Sequence, residues 1–194
     1  MGRIIYLTGA PATGKSTLCG EISRRFPEVE YYSYSKLLRD VVNQRSAEGV
    51  DEAGIRRQSA NIITPADVNA TDERLINEVH AKRQSRHIII DSHPVTKESY
   101  GFRVTPFRPE NLLRLAPDVV VCAYADPQTI AARIKANPDG RPLPRDFELD
   151  MHNQLQAGMA AQYGFALGKT CYFLDTGLEI DVVCQRFIEI TKIA

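Results

Sequence analysis

The nine residues Gly9-Ala10-Pro11-Ala12-Thr13-Gly14-Lys15-Ser16-Thr17 constrain this chain more than any other stretch, because they fit the phosphate-binding pattern G-x-x-x-x-G-K-[ST]. The pattern carries meaning only between a strand and a helix, and both flank it. Arg3-Ile4-Ile5-Tyr6-Leu7-Thr8 is apolar and rich in β-branched and aromatic residues, as a buried strand requires. From Lys15 onward, Leu18, Ile22 and Phe26 recur at the four-residue spacing of one helix face. Gly9 and Gly14 permit tight-turn dihedrals and let the backbone approach phosphate oxygens. Free N–H groups of the loop and of the helix start then converge where the helix dipole favours negative charge. Lys15 adds a mobile charge for the β- and γ-phosphates, and the Ser16 hydroxyl is placed to ligate Mg²⁺. The expectation is an ATP site formed by all nine residues.

The rest of the chain bounds what surrounds that site. A length of 194 residues suits one domain with a sizeable core. Lys plus Arg and Asp plus Glu both number 24, so the net charge is zero, which argues against a broad DNA or RNA footprint. Cys19, Cys122, Cys171 and Cys184 are scattered without a C-x-x-C pair, and Cys122 lies in an apolar run, so buried reduced thiols are expected. No apolar run approaches the ~18 residues of a membrane span, and the N-terminus leads directly into a strand. A cytoplasmic protein without a membrane or nucleic-acid partner is expected, its oligomeric state left open.

Periodicity and breakers divide the chain into alternating strands and helices. Val29–Tyr34 reads as a second strand, with Ser35 as the N-cap of a helix to about Asn43. A polar loop follows, then a short helix over Ile55–Ile63, then a longer one capped by Thr64 and opened by Pro65, running to about Gln84. Arg86–Asp91 is a third strand whose continuous apolar run suits a sheet centre covered on both faces. Ser92–Phe107 reads as irregular. A short helix over Pro109–Ala116, a strand over Asp118–Ala125, and a helix capped by Asp126 and Pro127 come next. Asn137–Asp146, with three prolines and a glycine, is a loop; Phe147–Leu167 is a long helix ending at Gly168. Thr170–Leu174 and Glu179–Ile193 close the chain as a fifth strand and a last helix. This alternation predicts an α/β fold with a parallel sheet and helices on both faces. Ligands bind such sheets beyond the strands' carboxyl ends, which gathers Gly9, Ser35, Asp91, Asp126 and Asp175 on one edge.

Several residues supply chemistry at that edge. Asp91 ends the apolar run Ile88-Ile89-Ile90, the form of the Mg²⁺-side carboxylate in P-loop proteins. His93 is placed either to hold a water or orient that carboxylate, or simply to sit in a turn before Pro94. His80, His87 and His152 lack a partner pattern. Arg133, Arg141 and Arg145 stand on and just after one helix; planar guanidiniums there match the charge that phosphoryl transfer spreads over equatorial oxygens. On a lid closing over nucleotide they would exclude water as well. Arg39, Arg56 and Arg57, with Ser35, lie between the second and third strands, where they could grip an acceptor's phosphate; Arg103 follows the third strand.

Together these residues resemble archaeal-type adenylate kinases, small P-loop nucleoside monophosphate kinases that include a related adenylate kinase/ATPase of eukaryotic nuclei. The likeness spans about Arg3 to Leu174. It is carried by Gly9–Thr17, by Ile90-Asp91-Ser92-His93 against the family's Asp-Thr-His, and by Leu112–Asp118. Asp126–Arg145, His152 and Ala157–Gly168 with Tyr163-Gly164 complete it. The resemblance implies a three-layer P-loop sandwich with strand order 2-3-1-4-5. It also implies a monophosphate-binding insertion near 35–70, a short lid near 137–146, and transfer of a phosphoryl group from Mg-ATP to AMP or a similar monophosphate. By position Arg133, Arg141 and Arg145 become the lid arginines and His93 the family histidine. Two other readings stay open: a P-loop kinase of a small hydroxyl compound, with Asp91 or His93 as base, and a slow ATPase acting as a switch or assembly factor.

Overall fold

The computed structural model describes residues 1–45, 62–138 and 143–193. In chain order the elements begin with β1 (Ile4–Thr8), α1 (Lys15–Arg25), β2 (Val29–Ser33) and α2 (Tyr34–Arg45). Next come α3 (Pro65–Lys82), β3 (His87–Asp91), β4 (Val95–Glu98), β5 (Gly101–Val104) and α4 (Pro109–Leu115). The last are β6 (Val119–Tyr124), α5 (Pro127–Ala136), α6 (Asp146–Leu167), β7 (Cys171–Asp175) and α7 (Ile180–Thr191).

Among the described residues, five strands form one parallel sheet in the order β2-β3-β1-β6-β7, the order 2-3-1-4-5 of the sequence reading. β1 lies at the centre and every one of its residues is buried, which is why its sequence is a continuous apolar run rather than an alternating one. Side chains alternate across the sheet. Ile4, Tyr6, Ile88, Ile90, Val120 and Cys122 pack with Leu75, Ile76 and Val79 of α3, Leu112 of α4 and Tyr163 of α6. Ile5, Leu7, Ile89, Val119 and Val121 pack on the other face with Leu18 and Ile22 of α1 and Val183 and Phe187 of α7. Three layers result.

Local chemistry sets the boundaries. Thr64 caps α3 with a reciprocal Thr64–Asp67 box and Pro65 in the first turn. Asp67 also receives both Arg45 Nε at 2.9 Å and Arg45 Nη2 at 3.0 Å, which ties the end of α2 to the start of α3. Gly168 ends α6 in the left-handed region, at φ 60°. Within α6, Gly164 is dictated by proximity: a Cβ there would fall 2.9 Å from the Cβ of Cys171, so the helix sits tightly against β7. Asp126 caps α5 by accepting from the amides of Gln128 and Thr129.

Two expectations are corrected. Ser92–Phe107 is not irregular: β4 and β5 form an antiparallel hairpin closed by Ser99 and Tyr100 between Glu98 and Gly101. Its two loop residues, Ser99 and Tyr100, include no glycine, and β4 is held from outside, the Val95 carbonyl accepting from His152 Nε2 at 3.0 Å and Gln156 Nε2 at 3.1 Å. Ser35 is not an N-cap, because the helix already begins at Tyr34 and β2 stops at Ser33; the Ser33 and Ser35 hydroxyls lie 3.0 Å apart. The helix expected at 55–63 falls almost wholly outside the described residues, as do Arg56, Arg57 and Arg141.

Candidate active site

The carboxyl edge of the sheet opens into one cleft of about 1420 Å³. One wall is formed by the glycine loop. Gly9 takes φ 146°, Ala12 62° and Gly14 91°, dihedrals that turn the chain sharply between β1 and α1. Gly9 is also required by packing, since a Cβ there would lie 2.3 Å from the Ala123 carbonyl oxygen of β6. Thr13 Oγ1 donates to the Ala10 carbonyl at 2.8 Å and closes the turn. Lys15 is buried and its Nζ donates to the carbonyls of Gly9 at 2.7 Å and Ala10 at 3.0 Å. Lys15, Ser16 and Thr17 all line the cleft, and Ser16 is exposed to it.

Asp91 closes β3 on the α1 face, in register with Leu7 of β1 on one side and Ser33 of β2 on the other. It is 8% exposed. Burial pushes its carboxyl above the ordinary carboxylate range, opposed by the charge of Lys15 and by the Tyr31 hydroxyl. Tyr31 donates to Oδ2 at 3.2 Å, while Oδ1 has no hydrogen-bond partner. An orphaned carboxylate oxygen and an exposed Ser16 hydroxyl in the same cleft are oxygen donors of the kind a Mg²⁺ ion uses when phosphate and water complete its shell. Among the described residues no cluster of three acidic, His or Cys side chains offers a self-sufficient cage. The residues present fit a metal held jointly with a nucleotide.

The opposite half of the cleft is lined by Ser35, Arg39, Asn69, Asp72, Arg103, Phe107 and Arg108. Tyr34 and Phe107 meet edge to face at 5.4 Å and give this half an aromatic wall. Asp72 is raised by burial, but both its oxygens are satisfied, one by Tyr34 Oη at 2.7 Å and the other by Asn111 Nδ2 at 3.0 Å. His93 and Thr96 also line the cleft. His152 also lines the cleft; burial depresses it to about 4, so the neutral ring donates Nε2–H to Val95.

The predicted lid arginines separate. Arg133 joins the glycine loop: its Nη2 donates to the Thr176 carbonyl at 2.6 Å and its Nη1 lies 3.5 Å from that of Ala12. Arg145 turns away from the cleft, 81% exposed and paired with Glu148 at 3.3 Å. Asp126 and Asp175 reach the expected edge, but their oxygens accept local amides, Asp175 that of Gly177 at 2.8 Å. Two contributors escaped the sequence reading. Thr176 Oγ1 bonds the Thr13 and Tyr124 carbonyls, bracing the glycine loop from the end of β7. Tyr31 reaches Asp91 across two strands. A period-two pattern places Tyr31 on the face of Val29 and Ser33, but the contact needs the strand order as well.

A family model described as an AAA domain, AAA_17, matches residues 8–148. The chain belongs to this family. Among curated proteins it is similar to the adenylate kinase of Pyrobaculum aerophilum, 26% identical over 155 residues, covering 77% of this chain and 73% of that protein. It is similar also to the adenylate kinase of Methanopyrus kandleri, 26% identical over 199 residues and 99% of both chains. Among solved structures, an unliganded sugar kinase from Janibacter sp. superposes with a TM-score of 0.59 at 15% identity, covering 100% of this chain and 96% of that one. Shikimate kinase from Bacteroides thetaiotaomicron superposes at 0.58 with 17% identity and 98% coverage of each. At those identities the structural likeness concerns the fold, a parallel-sheet P-loop sandwich.

Proposed function

We propose that this chain is an ATP-dependent nucleoside monophosphate kinase of adenylate kinase type, transferring the γ-phosphoryl group of Mg-ATP to AMP or a similar monophosphate. The observation that carries the reading is the continuity of the cleft. A phosphate-binding loop and an aromatic, arginine-bearing half share one space, so donor and acceptor can meet in line between them. The archaeal relatives that span most or all of the chain are named adenylate kinases, which supports the same class.

In this mechanism the loop amides and Lys15 hold the donor's β- and γ-phosphates, with Lys15 Nζ leaving the Gly9 and Ala10 carbonyls to do so. Ser16 and Asp91 would hold Mg²⁺, which would supply charge neutralisation for the donor phosphates. Arg133 stands beside Gly14 and is the lid arginine already near the transferring group. Arg39, Arg103 and Arg108 line the half that would receive the acceptor phosphate. An oxygen of that phosphate attacks the γ-phosphorus as the bond from phosphorus to the β–γ bridging oxygen breaks, and the electron pair leaves with ADP. A monophosphate oxygen needs no strong base, so His93 is assigned to orienting water or Asp91. A monophosphate-binding insertion near 35–70, with Arg56 and Arg57, and a lid near 137–146, with Arg141 and Arg145, complete the proposal.

The test is a coupled assay with Mg-ATP and each monophosphate in turn, beside ATP loss with no acceptor. Turnover that requires a monophosphate is the expected result. ATP loss indifferent to every monophosphate would instead support an ATPase, and turnover only on a hydroxyl compound a kinase of another acceptor.

A further inference from the structure

Asp91 has an asymmetry that the sequence motif does not explain. Its two oxygens sit in one buried environment, yet Oδ2 receives a hydrogen bond from Tyr31 and Oδ1 receives none. Tyr31 sits on β2 opposite Ile89, two residues before Ser33, which is opposite Asp91. Both side chains therefore project from the same face of neighbouring strands, and the phenol reaches forward along the sheet to the carboxylate. Tyr31 itself is half-buried and lines the cleft. A planar carboxylate with one oxygen fixed has its rotation about the Cβ–Cγ bond fixed too, so the position of the other oxygen follows from that bond. No arginine or lysine makes a salt bridge to Asp91 among the described residues. Lys15 acts on Asp91 through its charge alone, and the phenol orients the group without adding a second positive charge.

We infer that Tyr31 is a positioning residue for the metal side of the site: its hydroxyl locks Asp91 Oδ2 so that Oδ1 is presented to a divalent cation arriving with the nucleotide. The inference rests on the nucleotide reading above. Outer partners that orient a ligating carboxylate typically matter 10–100-fold in metal affinity. Tyr31 therefore sets how much magnesium the protein needs, rather than how well it grips the triphosphate alone.

The variant that tests this is Tyr31→Phe, which removes one oxygen and keeps the ring. Binding of a non-hydrolysable ATP analogue is measured by calorimetry in EDTA and again across a Mg²⁺ titration, with thermal unfolding of the unliganded protein as the check on folding. The expected result is an unchanged affinity in EDTA and an unliganded midpoint close to that of the parent. The Mg²⁺ concentration giving half of the metal-dependent gain rises about 10-fold. If turnover is followed in parallel, kcat recovers at saturating Mg²⁺ while the half-saturating Mg²⁺ concentration does not. A Mg²⁺ response identical to that of the parent overturns the inference, and so does an equal loss of affinity with and without metal, which marks a merely structural role. A parent that binds the analogue with no magnesium-dependent gain also overturns the inference, whereas a parent that does not bind the analogue at all, with or without Mg²⁺, overturns the nucleotide reading, a distinct result.

Discussion

Two of the buried carboxylates that line the cleft, Asp72 and Asp91, are treated in opposite ways. Asp72, 1% exposed, has both oxygens bonded, to Tyr34 on α2 and Asn111 on α4, so it joins three helices, its own α3 among them. Asp91, 8% exposed, is left with an orphaned oxygen. Burying a carboxylate costs free energy unless its lone pairs are matched. The first residue meets that condition within the protein. The second does so only when something else arrives, and such an unmet requirement is how a fold marks a place for a ligand.

Substitutions sharpen or break this contrast. The largest effect is expected on the donor side: Lys15→Ala should lower kcat/KM for Mg-ATP by ~10²–10³, the cost of losing one aimed donor to developing phosphate charge, read in the coupled assay. A pH effect comes next, from the buried His152 that lines the cleft. Its folded-state value of about 4 lies below the ordinary 6.5, so the unfolded chain takes up its proton first. Stability should be complete above pH 6.5 and fall by about 3 kcal/mol as pH drops through the window down to about 4. Urea melts across that range check it, and His152→Gln should flatten the slope.

The carboxylates themselves differ in the currency of loss. Asp72→Ala strands the Tyr34 hydroxyl and the Asn111 amide, and should destabilise the protein by about 2–3 kcal/mol. Asp91→Asn should stay within about 1 kcal/mol of the parent in the same melts, because no satisfied pair is broken at Oδ1, while its magnesium-dependent turnover collapses. Equal destabilisation by both would erase the distinction drawn here. The smallest effect is expected of Thr176→Val, which removes one brace from the Thr13 carbonyl: about 1 kcal/mol of stability and a modest loss of ATP-analogue affinity by calorimetry.

How far these features could be read in advance depended on the range of the interaction that makes them. The glycine loop and its flanking elements are local; Gly9–Thr17 announces its turn, its helix start and its charge within nine consecutive residues. The caps at Thr64, Asp126 and Gly168 are local as well, and all three were legible. The β4–β5 hairpin was not, because its polar strands gain their hold from His152 and Gln156 more than fifty residues away. Arg133 and Arg145 looked alike in the chain. They part company because α5 ends beside the glycine loop, whereas Arg145 precedes the first turn of α6, where Glu148 captures it.

The order of apolar runs, glycines and caps by itself determined a parallel α/β sandwich with a phosphate-binding loop at its carboxyl edge, since each of those signals acts over a few residues. Only the tertiary structure decided which buried acids are satisfied, which arginines face the cleft and which phenol meets Asp91. Those outcomes depend on side chains brought together from distant positions, and a one-dimensional pattern does not encode the distance between them.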